Sequence, residues 1–188
     1  MTTATVRHLA AARLPAIGAI AFAILLAAAS QVAIPLPGTP VPITLQPLIV
    51  VLSGLVLGPA AAAASMAIYL VAGAAGLPVF APVGAPGISR LLGPTGGYLL
   101  ACPAAAVVAG VIARDAVGRP TAVFARRAIA AAAGIAVLYV GGVGQLGVLT
   151  GDLERAVRIG VWPFVVFDAL KAVVAAALAG ALTTRLRR

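Results

Sequence analysis

Asp168 and Lys171 stand three residues apart inside a long apolar run near the C-terminus of this 188-residue chain. At bilayer depth each charge costs about 2.5–3.5 kcal/mol on insertion scales, so such groups face a cavity or one another. An i, i+3 spacing puts both on one helix face. Two readings are open: a mutually neutralising pair that locks helix packing, or a polar ligand site with an acceptor and a donor side by side. Counted from Val161, the pair lies roughly 10–15 Å below the outer end of its run.

Arg90 is the single charge between Leu77 and Pro94, in a stretch broken by Pro78, Pro82, Pro86, Gly84, Gly87 and Gly93. Its planar fork suits a carboxylate, and a loop of this composition could fold over a pocket. A lipid-headgroup contact is the plainer alternative. Thr44 and Gln46 open an apolar run beside a second proline-rich stretch, and Tyr98 follows Gly96 and Gly97 at the start of another. A capping Thr and an interfacial Tyr would explain them singly. Their shared side of the membrane with Asp168 and Lys171 makes them candidates for the same site.

The elements that must position these residues are apolar helices. Hydrophobic residues make up 63% of the chain and charged ones 9%, against roughly a quarter charged in soluble domains. A spanning helix needs about 20 apolar residues, so six would use about 120 and leave about 68 for connections. The sequence predicts an all-α, polytopic integral membrane protein forming one transmembrane domain over residues 1–188. Its six helices are expected at about 14–34, 43–57, 60–76, 95–113, 128–149 and 161–182. Pro35, Pro37, Pro40 and Pro42 end the first run, Gly58-Pro59 separates the second from the third, and Pro163 fits the first turn of the sixth. The first run is longer than a signal-peptide core, which favours a retained helix.

Charge placement sets the expected sidedness. With six spans, Arg7, Arg13, Arg114, Arg119, Arg126, Arg127, Arg185, Arg187 and Arg188 share one side with Asp115. Arg90, Arg155 and Arg158 share the other with Asp152 and Glu154. Nine arginines against three place both termini in the cytoplasm and the two Pro/Gly-rich loops outside. The net charge of +9 is therefore read as topology-setting, with attraction to anionic membrane lipid, and not as a nucleic-acid surface. Cys102 and His8 are single, which argues against a disulfide framework and a Cys/His metal site. The sequence holds no Gly-x-x-x-x-Gly-Lys-Ser/Thr loop, so ATP hydrolysis by this chain is not expected. No nucleophile or acid–base pair points to catalysis, and no cofactor is implied. Ala19, Ala23 and Ala27 repeat at i+4 on the first helix, a spacing that permits close helix contact.

Several of these segments together resemble the BioY family. They are Pro35-Leu36-Pro37-Gly38-Thr39-Pro40-Val41-Pro42-Ile43-Thr44-Leu45-Gln46, Gly73-Ala74-Ala75-Gly76-Leu77-Pro78-Val79-Phe80, Leu92-Gly93-Pro94-Thr95-Gly96-Gly97-Tyr98, and the Asp168-x-x-Lys171 pair. BioY proteins are biotin-binding S components of energy-coupling factor transporters in prokaryotic plasma membranes. The resemblance implies six helices, a vitamin pocket near the outer face, and biotin-binding roles at Arg90, Asp168 and Lys171. It implies a transmembrane coupling subunit and two cytoplasmic ATP-binding-cassette subunits as partners. It further implies that the first helix docks the coupling subunit, through Ala19, Ala23 and Ala27. An S component for riboflavin or thiamine, a secondary carrier with a titrating Asp168, and a membrane enzyme are the alternatives. Riboflavin and thiamine would favour more aromatic partners than five Phe, three Tyr and one Trp provide.

Overall fold

A computed structural model describes residues 3–114 and 118–186. Asp115, Arg187 and Arg188, which enter the sidedness count, lie outside them. Within the described residues the chain forms helices α1 (Thr3–Gln31), α2 (Gln46–Leu57), α3 (Pro59–Ala74), α4 (Ile88–Leu92), α5 (Gly96–Ala113), α6 (Pro120–Thr150), α7 (Leu153–Gly160) and α8 (Val165–Leu186). Two short strands, β1 (Ala33–Ile34) and β2 (Ile43–Thr44), pair antiparallel with Ala33 opposite Thr44 and Ile34 opposite Ile43.

The protein is an all-helical membrane protein with its apolar side chains turned outward as well as inward. Ile17, Ile24, Val71, Val140, Val148, Val166 and Leu170 are all exposed, a surface suited to lipid and not to water. Three helical stretches are long and apolar enough to cross a bilayer: Gly96–Ala113, Pro120–Thr150 and Val165–Thr184. Pro15–Gln31, Gln46–Leu57 and Pro59–Ala74 are shorter apolar helices.

The short α2 packs against α1, α3, α5, α6 and α8, and every residue from Ile49 to Leu55 is buried. It fits because its neighbours are small where they meet it. A Cβ on Gly54 would collide with the Ala106 carbonyl and come within 2.9 Å of the Gly110 nitrogen. The α5–α6 seam is built likewise: Gly97 and Gly141 meet backbone to backbone, and the Tyr98 ring lies over Gly142. Small residues allow such approach, and close approach supplies the packing that lipid cannot. Gly58, with φ at +78°, turns the chain from α2 into α3.

Several boundaries differ from the sequence expectation. The first helix ends at Gln31, because residues 33–34 enter the β1–β2 pair. The second starts at Gln46, since Ile43 and Thr44 form the other strand. The fifth expected run begins at Pro120, eight residues early; Pro120 occupies the first turn, where its missing N–H is harmless. The last helix begins at Val165, with Val161 to Phe164 forming a turn ahead of it. Asp168 therefore sits in the first turn of α8, about 5 Å along the helix axis. This count starts at Val165, four residues beyond Val161, where the expected run began. The α4 and α7 helices were not anticipated.

The alanine row faces inward within this chain. Ala19 and Ala23 are 3% and 6% exposed, and Ala27 packs half-buried against the core that holds Ala23. α1 packs against α2 and α3, and turns Ile17, Ile20 and Ile24 outward.

The packing makes a paired prediction. Gly54→Ala should destabilise by about 1–3 kcal/mol, because the neighbouring backbone cannot yield. Gly144→Ala, where a Cβ meets nothing within 4 Å, should be neutral or stabilising by up to about 1 kcal/mol. Thermal unfolding in detergent measures both, and equal midpoints for the two variants would contradict the close α2–α5 contact.

Candidate functional site

One cavity gathers residues from distant parts of the sequence. About 750 Å³ of atom-free space lies within it, its open mouth included. Thr44, Gln46, Arg90, Tyr98, Asp168 and Lys171 all line it. Apolar walls come from Val41, Pro42, Pro47, Val50, Phe80, Leu99, Leu138 and Phe164.

The charged end is on α8. Lys171 Nζ donates to Asp168 Oδ1 at 2.7 Å, and the two residues are 9% and 4% exposed. The second carboxylate oxygen accepts from the Tyr139 hydroxyl of α6 at 2.7 Å. The first-turn position also places the Asp168 carboxylate near the positive end of the α8 dipole. Each Asp168 oxygen keeps a free lone pair, and Lys171 keeps two N–H groups beyond this bond. The cavity thus meets an acceptor and a donor next to each other.

Thr44 and Gln46 form a second polar group. The Thr44 hydroxyl donates to Gln46 Oε1 at 3.2 Å, and Gln46 Nε2 donates to Tyr69 Oη at 2.7 Å. The amide is fixed at both ends, with one N–H left over. Tyr69 is 1% exposed and stacks edge-on with Phe80 at 5.3 Å. The Phe80 ring occupies the space a side chain at Gly73 would need. Tyr98, which also lines the cavity, donates its hydroxyl to the Gly160 carbonyl at 2.6 Å.

Arg90 approaches from α4, in the connection between α3 and α5. Its Nε donates to the Ala85 carbonyl at 3.0 Å, Nη2 to Ala81 at 2.7 Å, and Nη1 to Val83. Three of its five N–H groups thereby hold the backbone of its own loop, and two remain. Among the described residues no carboxylate pairs with it. Burial lowers the guanidinium's pKa from its ordinary value, with Tyr69 acting in the opposite direction. An arginine nonetheless keeps its proton. Gly84 is needed here twice over: its φ is +97°, and a Cβ would come within 2.9 Å of Arg90 Nη1.

Other contacts fix the two Pro/Gly-rich loops. Ser30 Oγ donates to the Val79 carbonyl, and Gln31 Nε2 reaches the Phe80 carbonyl at 3.2 Å. Thr39 donates to the Ile159 carbonyl at 2.7 Å, tying the first loop to α7. Gln145 of α6 donates to the carbonyls of Leu91 and Gly93 at 3.0 and 2.6 Å. Sequence reasoning missed Tyr139, Tyr69 and Gln145. The available signal was a polar head group within an otherwise apolar run.

A family model described as the BioY family matches residues 2–188. A protein named "Biotin transporter BioY" from Thermotoga maritima is 39% identical over 158 residues, covering 84% of this chain and 89% of that protein. One named "Probable biotin transporter BioY" from Pyrococcus horikoshii is 41% identical over 140 residues, covering 74% and 79%. A crystal structure described as the S-component for biotin from an ECF-type ABC transporter superposes with a TM-score of 0.80. It covers 98% of this chain and 95% of its own at 23% identity, and so shares the fold.

If Arg90 latches its loop, releasing it should loosen residues 81–85. In a Cys102→Ala background, a cysteine at Ala81 should react with a maleimide at least about tenfold faster after Arg90→Gln, or after Gly84→Ala, as each lost charge-assisted bond is worth about 1.5–3 kcal/mol. Unchanged labelling rates in both variants would show that the loop is held by other contacts.

Proposed function

Because the chain belongs to the BioY family, we propose that it is the biotin-binding membrane subunit, the S component, of an energy-coupling factor transporter. The observation that carries this reading is the single cavity in which a buried donor–acceptor pair and a loop-borne guanidinium share apolar walls. Biotin has a ureido group with two N–H donors and a carbonyl acceptor, an apolar thioether ring and a carboxylate tail. Asp168 accepts from a ureido N–H, Lys171 donates to an acceptor oxygen, and Arg90 pairs with the tail through its remaining N–H groups. Thr44, Gln46 and Tyr98 complete the polar contacts, and the apolar walls cover the ring and methylene chain.

All six apolar helices cross the bilayer in this reading, the short ones by tilting or by ending within the bundle. Arg127 donates to Thr183 at 3.0 Å and Arg126 to the Ile112 carbonyl at 2.7 Å. The arginine-rich end of the bundle is therefore the far end of α8 from Asp168. The positive-inside rule makes that end cytoplasmic, together with both termini, and opens the cavity outward in a plasma membrane. Energy comes from partners: a transmembrane coupling subunit and two cytoplasmic ATP-binding-cassette subunits. The sequence itself carries no phosphate-cradling motif. The binding subunit has no catalytic step and no cofactor, and biotin is its cargo.

Purified protein should bind labelled biotin, and excess riboflavin or thiamine should not displace it. Asp168→Asn combined with Lys171→Met leaves neither charge unpaired, so the fold should survive. Losing two charge-assisted hydrogen bonds should weaken binding at least about a hundredfold. Near-normal affinity in a monodisperse double variant would assign the pair to packing alone. Sidedness is tested separately: a cysteine at Thr184, in the Cys102→Ala background, should label only from the cytoplasmic face.

A further inference from the structure

We infer that Tyr139 is a positioning residue that fixes the Asp168 carboxylate and thereby sets the affinity for ligand N–H donors, an inference that rests on the biotin reading. A carboxylate can only accept, so at 2.7 Å the phenol must be the donor to Oδ2. With Lys171 on Oδ1 at 2.7 Å, the carboxylate is pinned from two sides and two helices. Lys171 alone, one turn along the same helix, leaves the carboxylate plane free to turn about χ2. Tyr139 comes from α6 and removes that freedom.

The tyrosine is itself held firmly. It lies two residues before Gly141, whose backbone meets that of Gly97, and three before Gly142, which lies under the Tyr98 ring. Tyr98 is tied in turn to the Gly160 carbonyl just ahead of α8. The α5–α6 seam therefore sets the height of the phenol against the start of α8. Since its proton is spent on Asp168, the Tyr139 oxygen can only accept from the cavity that it lines. At the α8 end of the cavity, Tyr139 and Asp168 present acceptors and Lys171 presents donors. A ligand group with two N–H donors and one acceptor oxygen matches that balance.

Biotin affinity of four proteins tests the inference: wild type, Tyr139→Phe, the Asp168→Asn/Lys171→Met variant, and the triple variant. Tyr139→Phe should weaken binding about tenfold to a hundredfold, the span expected for one hydrogen bond to a charged group. In the background without the carboxylate the same change should cost less than about threefold, because its effect runs through Asp168. Equal losses in both backgrounds, or no loss in the wild-type background, would overturn it. Infrared difference spectra supply a readout that needs no ligand. The carboxylate stretch assigned through Asp168→Asn should shift in Tyr139→Phe, and an unshifted band would also overturn the inference. Wild-type protein that fails to bind biotin would instead refute the ligand, with the infrared result still judging the Tyr139–Asp168 bond.

Discussion

Two opposite charges held 2.7 Å apart in a helical membrane protein constrain everything around them. Neither charge is stable against lipid, and breaking the pair would strand the other in a low-dielectric interior. The surrounding helices must therefore both enclose the pair and give it polar company. α6 does this with Tyr139, and the outer loops complete the cavity with Arg90, Thr44 and Gln46. A purely structural ion pair has no need of an adjoining cavity with further fixed donors. In the proposed function, the adjoining cavity gives the costly pair a recognition role.

Enclosing that pair requires helices that approach one another closely. The glycine and alanine content of the sequence serves this end. Gly54 against Ala106, and Gly97 against Gly141, bring backbones into contact without intervening side chains. Gly97 precedes the cavity-lining Tyr98 and Gly141 follows Tyr139 by two residues, so this seam builds part of the cavity wall. The loops are tied down by side chains that bond backbone carbonyls: Ser30 and Gln31 from α1, Thr39 toward α7, Gln145 from α6, and Arg90 on its own segment.

Much of this was legible in the sequence because membrane insertion simplifies the code. Long uncharged runs between arginines and Pro/Gly clusters located all six apolar helices, and i, i+3 spacing alone placed Asp168 beside Lys171. Boundaries were less legible. Pro163 is compatible with a helical first turn, yet it ends up in the turn ahead of α8, which leaves Asp168 in the first turn of its helix. The arginines near residue 120 read as a loop, whereas a helix can run on beyond the apolar layer and carry them. Ala19 and Ala23 announced a close contact, and spacing cannot say whether the contact is with the same chain or another. Tyr139 was hidden for a similar reason. A tyrosine in an apolar run looks like any aromatic until the neighbouring helix is known to bring a carboxylate to its hydroxyl.

The central claim is that the cavity beside Asp168, Lys171 and Arg90 is where biotin sits. Biotin brings one sulfur to a chain with only one cysteine and two methionines. Long-wavelength diffraction from crystals grown with biotin can therefore locate the ligand by its anomalous signal. The account predicts an added sulfur peak inside this cavity, accompanied by density reaching the Asp168–Lys171 pair. An added peak elsewhere in the bundle, with this cavity empty, would contradict it.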